Sequence, residues 1–357
     1  MMYLPGKAII NVLICFLITG AGSAVTGKNR LPSEIHNASL KCVDLVYKEK
    51  FSRAEQEAKK IIKKYPDHPA GYFFFAMVVY SWMVYYETDK KEDEFYQYCD
   101  LVIARGEAIL ARDRDNIWAR FFVGGADGFK GTYESRFERW ITAFRYGWKG
   151  VSILIELYKE HPEIKDLGYG VGSYNYWRSA LMKTLWWMPG VSDKRESAIA
   201  MLYQAKKYGI YTKMSAAESL VEVLLHEKRF GEALQIANEM LQKYPSSLVF
   251  YWGRAKALYG ERKYTLAEKA FRYILGRVES EAFDNHYNAA LCHLWLAKVN
   301  MGLQRYTQCI AECNRMKHYR FSLKVKKRLE SDFGEAEELR KRAKAAKLKS
   351  PEPRFVP

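Results

Sequence analysis

The sequence predicts an all-α solenoid, a stack of antiparallel helical hairpins, and three observations carry that reading. A pattern of small and aromatic residues recurs every 34 positions: Ala233 and Ala267 are that far apart, and so are Phe230 and Tyr264. A period of this length marks a two-helix unit that cannot bury its apolar face alone and must stack on its neighbours. Within each period the apolar residues fall at helical spacing, as in Leu220, Val221, Leu224 and Leu225, and not at the alternate positions of a strand. Finally, 49% of the 357 residues are hydrophobic and 27% charged, a composition that excludes disorder and can bury a sizeable core.

Taken in order, the chain opens on an export signal over residues 1–24. Lys7 supplies the positive start, Ile9 to Thr19 the apolar run, and Gly20-Ala21-Gly22-Ser23-Ala24 the small-residue exit, with cleavage after Ser23 or Ala24. The apolar run falls well short of the ~20 residues of a spanning helix, and Ile14 stands where a lipidation signal at Cys15 would need a small residue. A solenoid over 25–320 follows. Its first good repeat, 35–68, holds Cys42, Phe51, Ala54, Ala58 and Tyr65-Pro66; the repeat at 214–247 holds Phe230, Ala233, Ala237 and Tyr244-Pro245. The repeat at 248–281 has Tyr251-Trp252, Ala255, Tyr264, Ala267 and Phe271, and the one at 290–320 has Ala297, Tyr306, Cys309, Cys313 and Met316 after an insertion of about eight residues.

Between the first and second of these repeats the hairpin rhythm continues with weaker matches. Helices are expected over Ala70–Tyr86, Glu92–Arg112, Ile117–Phe129 and Glu134–Glu160, then from Tyr174 to Trp187, with a turn at Met188-Pro189-Gly190-Val191-Ser192 and a restart capped by Ser192 or Asp193. Residues 321–357 read as a basic capping helix and tail.

The repeat residues resemble those of the tetratricopeptide-repeat (TPR) family: a small residue in the first helix, an aromatic before the second, a small residue where the two cross, and a Pro closing the unit. Small residues at the crossing let the helices approach while the rings of neighbouring hairpins fill the space between them. The resemblance implies a non-catalytic scaffold that holds a protein or peptide partner on its concave first-helix face. The positions that would face such a groove are Ser215, Glu218, Glu222 and Leu225, then Val249, Trp252, Lys256 and Tyr259, then Leu294, Lys298 and Met301. Of these, Glu218, Glu222, Trp252, Lys256, Tyr259 and Lys298 are the expected binding residues. They do not reproduce the Lys/Asn/Arg carboxylate clamp of chaperone-binding members.

A second candidate is the aromatic segment around Tyr174, Tyr176, Trp177, Arg178, Trp186 and Trp187, preceded by Gly168, Gly170 and Gly172. It reads either as core at a helix start, where glycines permit close approach, or as a peptide- or glycan-binding patch rich in residue types common at binding hot spots. A phosphate-cradling loop is a poor fit, with neither a preceding strand nor a following Lys-Ser/Thr.

No HExxH, P-loop, GxSxG or CxxC pair is present, and Phe230 stands where the second His of a zinc motif begun at His226-Glu227 would be. No enzyme class, metal or cofactor is implied. The five cysteines outside the signal are no disulfide framework, though Cys292 with Cys309 or Cys313 is left open as a pair across a hairpin. Formal charge is +16, with twelve Lys or Arg against five Asp or Glu between Lys317 and Lys349. That tail is either a solvated cap or an attraction to an anionic membrane surface; export argues against nucleic acid. The reading is a periplasmic or envelope-associated scaffold, with a solute- or glycan-binding accessory of an envelope transport or assembly system as the alternative.

Overall fold

The computed structural model describes residues 31–182, 192–281 and 283–349, and all sixteen regular elements longer than one turn among them are α-helices. The expected export signal over residues 1–24, Trp186, Trp187, the expected turn from Met188 to Val191 and the last eight residues lie outside the described residues. None of the described helices is long and apolar enough to cross a membrane. The chain divides into two units: one runs to Trp82 and over Lys91–His226 and Tyr244–Ser247, the other over Met83–Lys90, Glu227–Lys243 and from Leu248 onward.

In the first unit α1 (Ser33–Tyr47) and α2 (Phe51–Lys64) form the opening hairpin. Ala54 and Ala58 are fully buried where the two helices meet, and the Cys42 thiol donates to the Ala54 carbonyl at 3.6 Å. Helix α3 (Pro69–Tyr86) opens on a proline, which has no amide to leave unpaired in the first turn. Tyr72 to Tyr80 are all buried, as expected of a helix apolar on every side. Three acids, Glu92, Asp93 and Glu94, start α4 (Glu92–Leu110) and match the positive end of its dipole.

The next hairpin corrects the expected boundaries. Helix α5 (Ile117–Arg136), capped by Asn116 accepting from the Ala119 amide at 3.0 Å, runs past Phe129, and α6 (Trp140–Glu160) starts after Glu134. The two pack backbone to backbone on glycine: a Cβ at Gly150 would fall 2.4 Å from the Gly124 carbonyl, and one at Gly131 would fall 2.7 Å from the Gly147 amide. Glycine weakens a helix by its own propensity, but here the absence of a side chain lets α5 extend along its neighbour.

Helix α7 (Leu167–Met182) contains the three alternating glycines, of which Gly172 lies against the Ala198 carbonyl of α8 (Arg195–Tyr208). Lys194, not Ser192 or Asp193, is the residue flanking α8, although Asp193 Oδ1 accepts the Arg195 amide at 3.0 Å. Asp166, just before α7, is buried and accepts the amides of Ile210, Tyr211 and Thr212 at 3.1, 3.0 and 2.8 Å. Burial pushes its carboxyl up to about 7 against those donors. They anchor the entry of α9 (Lys213–His226). The unit then closes on itself: Tyr47 of α1 bonds Ser215 Oγ at 3.0 Å and donates to Glu218 Oε2 at 2.9 Å, and His36 packs edge-on against Tyr211.

The second unit contains α10 (Phe230–Lys243), α11 (Leu248–Gly260), α12 (Tyr264–Glu279), α13 (His286–Gly302) and α14 (Tyr306–Arg315). A short 3-10 turn, Met316–His318, leads to α15 (Leu323–Arg328) and α16 (Glu330–Lys349). Its 34-residue pattern has a direct packing cause. The ring of Phe230 occupies the space a Cβ at Gly260 would need, and Tyr264 does the same at Gly302, so the aromatic that opens one helix seats on a glycine of the next hairpin. Ala336, Leu339 and Ala343 of α16 are buried in a cluster with Ala290, Leu294 and Cys313. The cysteines at 42, 99, 292, 309 and 313 are all buried free thiols, so the pairing left open for Cys292 is not made.

Several first helices of the hairpins end alike, on a residue with positive φ two positions before the aromatic that opens the second: Glu49, Glu138, Lys228, Arg262 and Gln304, at φ 58 to 60°. At Arg262 and Gln304 the next amide bonds five residues back, Lys263 to Leu258 and Arg305 to Asn300, which closes a Schellman cap. Such a position favours glycine. Arg262→Gly and Gln304→Gly should each raise stability by about 0.5–1 kcal/mol, because left-handed strain outweighs the extra chain entropy that glycine loses. Urea unfolding of the two variants checks this; a loss in both would contradict the cap geometry.

Candidate interaction surface

Four of the six expected groove residues come together in the second unit, around a fifth that the sequence reading passed over. Trp252, Lys256 and Tyr259 lie on α11 and Lys298 on α13, with Trp295 of α13 at the centre. The Lys298 ammonium lies 4.4 Å from the Trp295 ring centroid, and Lys256 sits 5.9 Å from Trp295 and 5.6 Å from Trp252. Tyr259 meets Trp295 edge-on at 5.3 Å, and Phe271 of α12 stacks on it at 5.4 Å with 14° between planes. Lysine over indole is favourable through the ring quadrupole, and stacking on Phe271 fixes the indole in place. Across the site Glu335 of α16 pairs with Lys298 at 2.8 Å. The five residues are half-buried, so the site is an aromatic shelf with two ammonium groups at its edge.

The spacing points one position short of Trp295. Ala255 and Ala297 are 42 residues apart, the same interval as Ala267 and Cys309, which pairs Lys256 with Lys298 but sets Leu294 opposite Trp252. The structure buries Leu294 in the cluster beneath α16 and turns Trp295 to the shelf. Periodicity identified the face of α13 and missed the residue by one position, an error of about 100° around a helix.

The remaining expected residues fare differently. Glu218 is a correction: it is 4% exposed, bonded to Tyr47, and burial with Glu222 nearby raises its carboxyl well above the usual range. Ser215 is fully buried beside it, and Glu222 is half-buried. The aromatic patch is not one surface. Tyr176 and Trp177 face inward, where Tyr176 OH bonds His226 Nδ1 at 2.6 Å and the Val223 carbonyl at 3.3 Å, and Trp177 packs on the same imidazole. Tyr174 is half-buried against Trp148, Arg178 is exposed, and Trp186 and Trp187 lie outside the described residues.

A polar chain lies behind the shelf. His293 Nδ1 meets Glu312 at 2.6 Å, its Nε2 meets Tyr319 OH at 3.0 Å, and Tyr319 donates to Glu279 at 2.8 Å. Burial alone would raise the Glu312 carboxyl, but the hydrogen bond from His293 and the charges of Arg315 and Arg272 outweigh it and hold it below its ordinary value. Every member of this chain has a partner within the unit, and it ties α13 to α14 and the turn that follows. Among the described residues no three His, Cys, Asp or Glu gather closely enough to hold a metal ion.

The hairpins define the class as an all-α, TPR-like repeat fold. No family model matches the chain, and no curated protein matches it in sequence. Among solved structures, a tetratricopeptide repeat protein from Parabacteroides merdae is similar at 14% identity and a TM-score of 0.38, over 88% of this chain and 100% of that one.

Proposed function

We propose that the protein is a non-catalytic interaction scaffold of the cell envelope, exported by residues 1–24, that holds a protein or peptide partner on the shelf of its second unit. The observation that carries this is the convergence of Trp252, Lys256, Tyr259 and Lys298 on Trp295, half-buried and cationic at the edge. Large rings fixed by their neighbours lose little freedom on binding, and Trp, Tyr and cationic groups at a half-dry surface are hot-spot chemistry. Lys298 is already paired with Glu335 at 2.8 Å, so the shelf favours a partner that presents a large apolar side chain to the rings of Trp252, Tyr259 and Trp295.

The test is affinity capture from envelope extract by the wild type and by a Trp252→Ala, Lys256→Ala, Lys298→Ala variant of unchanged helicity and melting temperature. The partner should be retained by the wild type and bound about tenfold or more weakly by the variant. Equal capture by both would remove the shelf from the function. A solute- or glycan-binding accessory role keeps one supporting observation in the first unit: Ser173 Oγ and Trp177 Nε1 of α7 are buried without a hydrogen-bond partner, the kind of polar group a hydroxylated ligand satisfies. Capture of no protein by either form, with a melting temperature raised by glycans, would move that reading ahead.

A further inference from the structure

The first unit carries a second surface that neither the shelf nor the fold accounts for. Four of the exposed large hydrophobic side chains among the described residues lie within nine positions at the start of α6: Trp140, Ile141, Phe144 and Trp148, exposed by 41, 88, 65 and 50%. Ile141, Phe144, Arg145 and Trp148 fall at i, i+3, i+4 and i+7, one face of a helix, and the opposite face buries Ala143, Gly150, Val151 and Leu154. The exposed face is therefore not misplaced core.

Its charge is one-sided. From Trp140 to Ile155 α6 contains no Asp or Glu, the nearest acid before it being the exposed Glu138 of the entry turn, and α7, which packs alongside through Trp148 and Tyr174, contains none at all. Arg145 is exposed in the middle of the apolar face and Arg178 on α7 next to it, while Lys149 is half-exposed although it reaches Asp127 at 3.0 Å. Acids reappear on α6 only at Glu156 and Glu160, the latter paired with Arg120. The surface also stands proud, since the most exposed residue of the stripe is its apolar Ile141. A folded partner would need a pocket shaped to that ridge, whereas a lipid surface conforms to it.

We infer that this face of α6 docks the protein on an anionic phospholipid bilayer. Ile141 and Phe144 enter the acyl boundary, Trp140 and Trp148 lie at headgroup level where an indole has both an apolar and a polar neighbour, and Arg145 and Arg178 meet lipid phosphates. The helix lies on the membrane and does not cross it. This surface is separate from the shelf, so a failure of either proposal leaves the other standing.

Co-sedimentation of the purified chain with vesicles of phosphatidylcholine, alone and mixed with phosphatidylglycerol, tests it. The wild type should bind the anionic vesicles, more weakly as salt rises, with a blue shift of tryptophan emission. Ile141→Asp with Phe144→Asp should weaken binding by about tenfold or more, and Arg145→Glu should weaken it on anionic vesicles; these side chains are exposed, so helicity and melting temperature should hold. A Lys341→Glu, Lys344→Glu variant of α16 should bind as the wild type does. The proposal is overturned if the wild type ignores both vesicles or if the α6 variant binds undiminished. It is equally overturned if the α16 variant abolishes binding, or if the α6 substitutions only convert a dimer to a monomer in solution.

Discussion

Gly150→Ala is expected to destabilise the first unit by about 3 kcal/mol or more, at the upper end of what overpacking costs, whereas Gly147→Ala three residues earlier should stabilise it by up to about 1 kcal/mol. A Cβ at Gly150 would stand 2.4 Å from the Gly124 carbonyl oxygen and 2.7 Å from the Gly128 amide, both backbone atoms that cannot rotate away. Relief requires α5 and α6 to part along their whole contact. At Gly147 an added Cβ meets nothing within 4 Å, so only the gain in helix propensity remains. Thermal and urea unfolding of the two single variants decides the matter by sign. Similar small effects at both positions would mean that the helices do not approach as described.

Arg328→Ala should cost the second unit about 3–5 kcal/mol, the range for removing one partner of a buried ion pair. Arg328 Nη2 lies 2.6 Å from Glu87 Oε2 with both side chains nearly excluded from water, and the guanidinium lies 4.7 Å from the Tyr287 ring centroid. Glu87 sits in the turn after α3, at φ 50°, in a segment held by Asn288 Nδ2 donating to the Tyr85 carbonyl at 2.9 Å and by Tyr86 packing edge-on against Phe283. Alanine leaves the Glu87 carboxylate dry with its strongest donor gone. Because the penalty belongs to the orphaned charge, Arg328→Met combined with Glu87→Leu should recover most of it. Chemical unfolding of the single and double variants measures this; a single-variant loss under about 1 kcal/mol would show the pair to be solvated.

These two contacts were not legible in the sequence, and the reason is the same for both. Glycines at 124, 131, 147 and 150 can be read off the chain, but which of them touch depends on the rotation of α5 about α6. Glu87 and Arg328 are 241 positions apart with no motif joining them. The 34-residue pattern was legible because it is local and repeated: two successive hairpins seat an aromatic on the next, Phe230 at Gly260 and Tyr264 at Gly302. The shelf was legible in four of its five residues, and Trp295 escaped because the repeat frame set its neighbour Leu294, which is buried beneath α16, opposite Trp252. Glu218 was misplaced because the residue that covers it, Tyr47, lies 171 positions away.

The sequence by itself determined the helical hairpins, their crossings at Ala233, Ala267 and their counterparts, and the stripe of residue types along each first helix. Only the tertiary structure decided which of those stripes remain accessible. In the first unit α1 returns to α9 and turns Ser215 and Glu218 into core, whereas in the second unit Trp252, Lys256, Tyr259 and Lys298 keep part of their surface around Trp295. Periodicity records which side of a helix differs from the other, a property of neighbours one turn apart. Whether that side meets water is set by chain segments far away in sequence, and no local pattern encodes them.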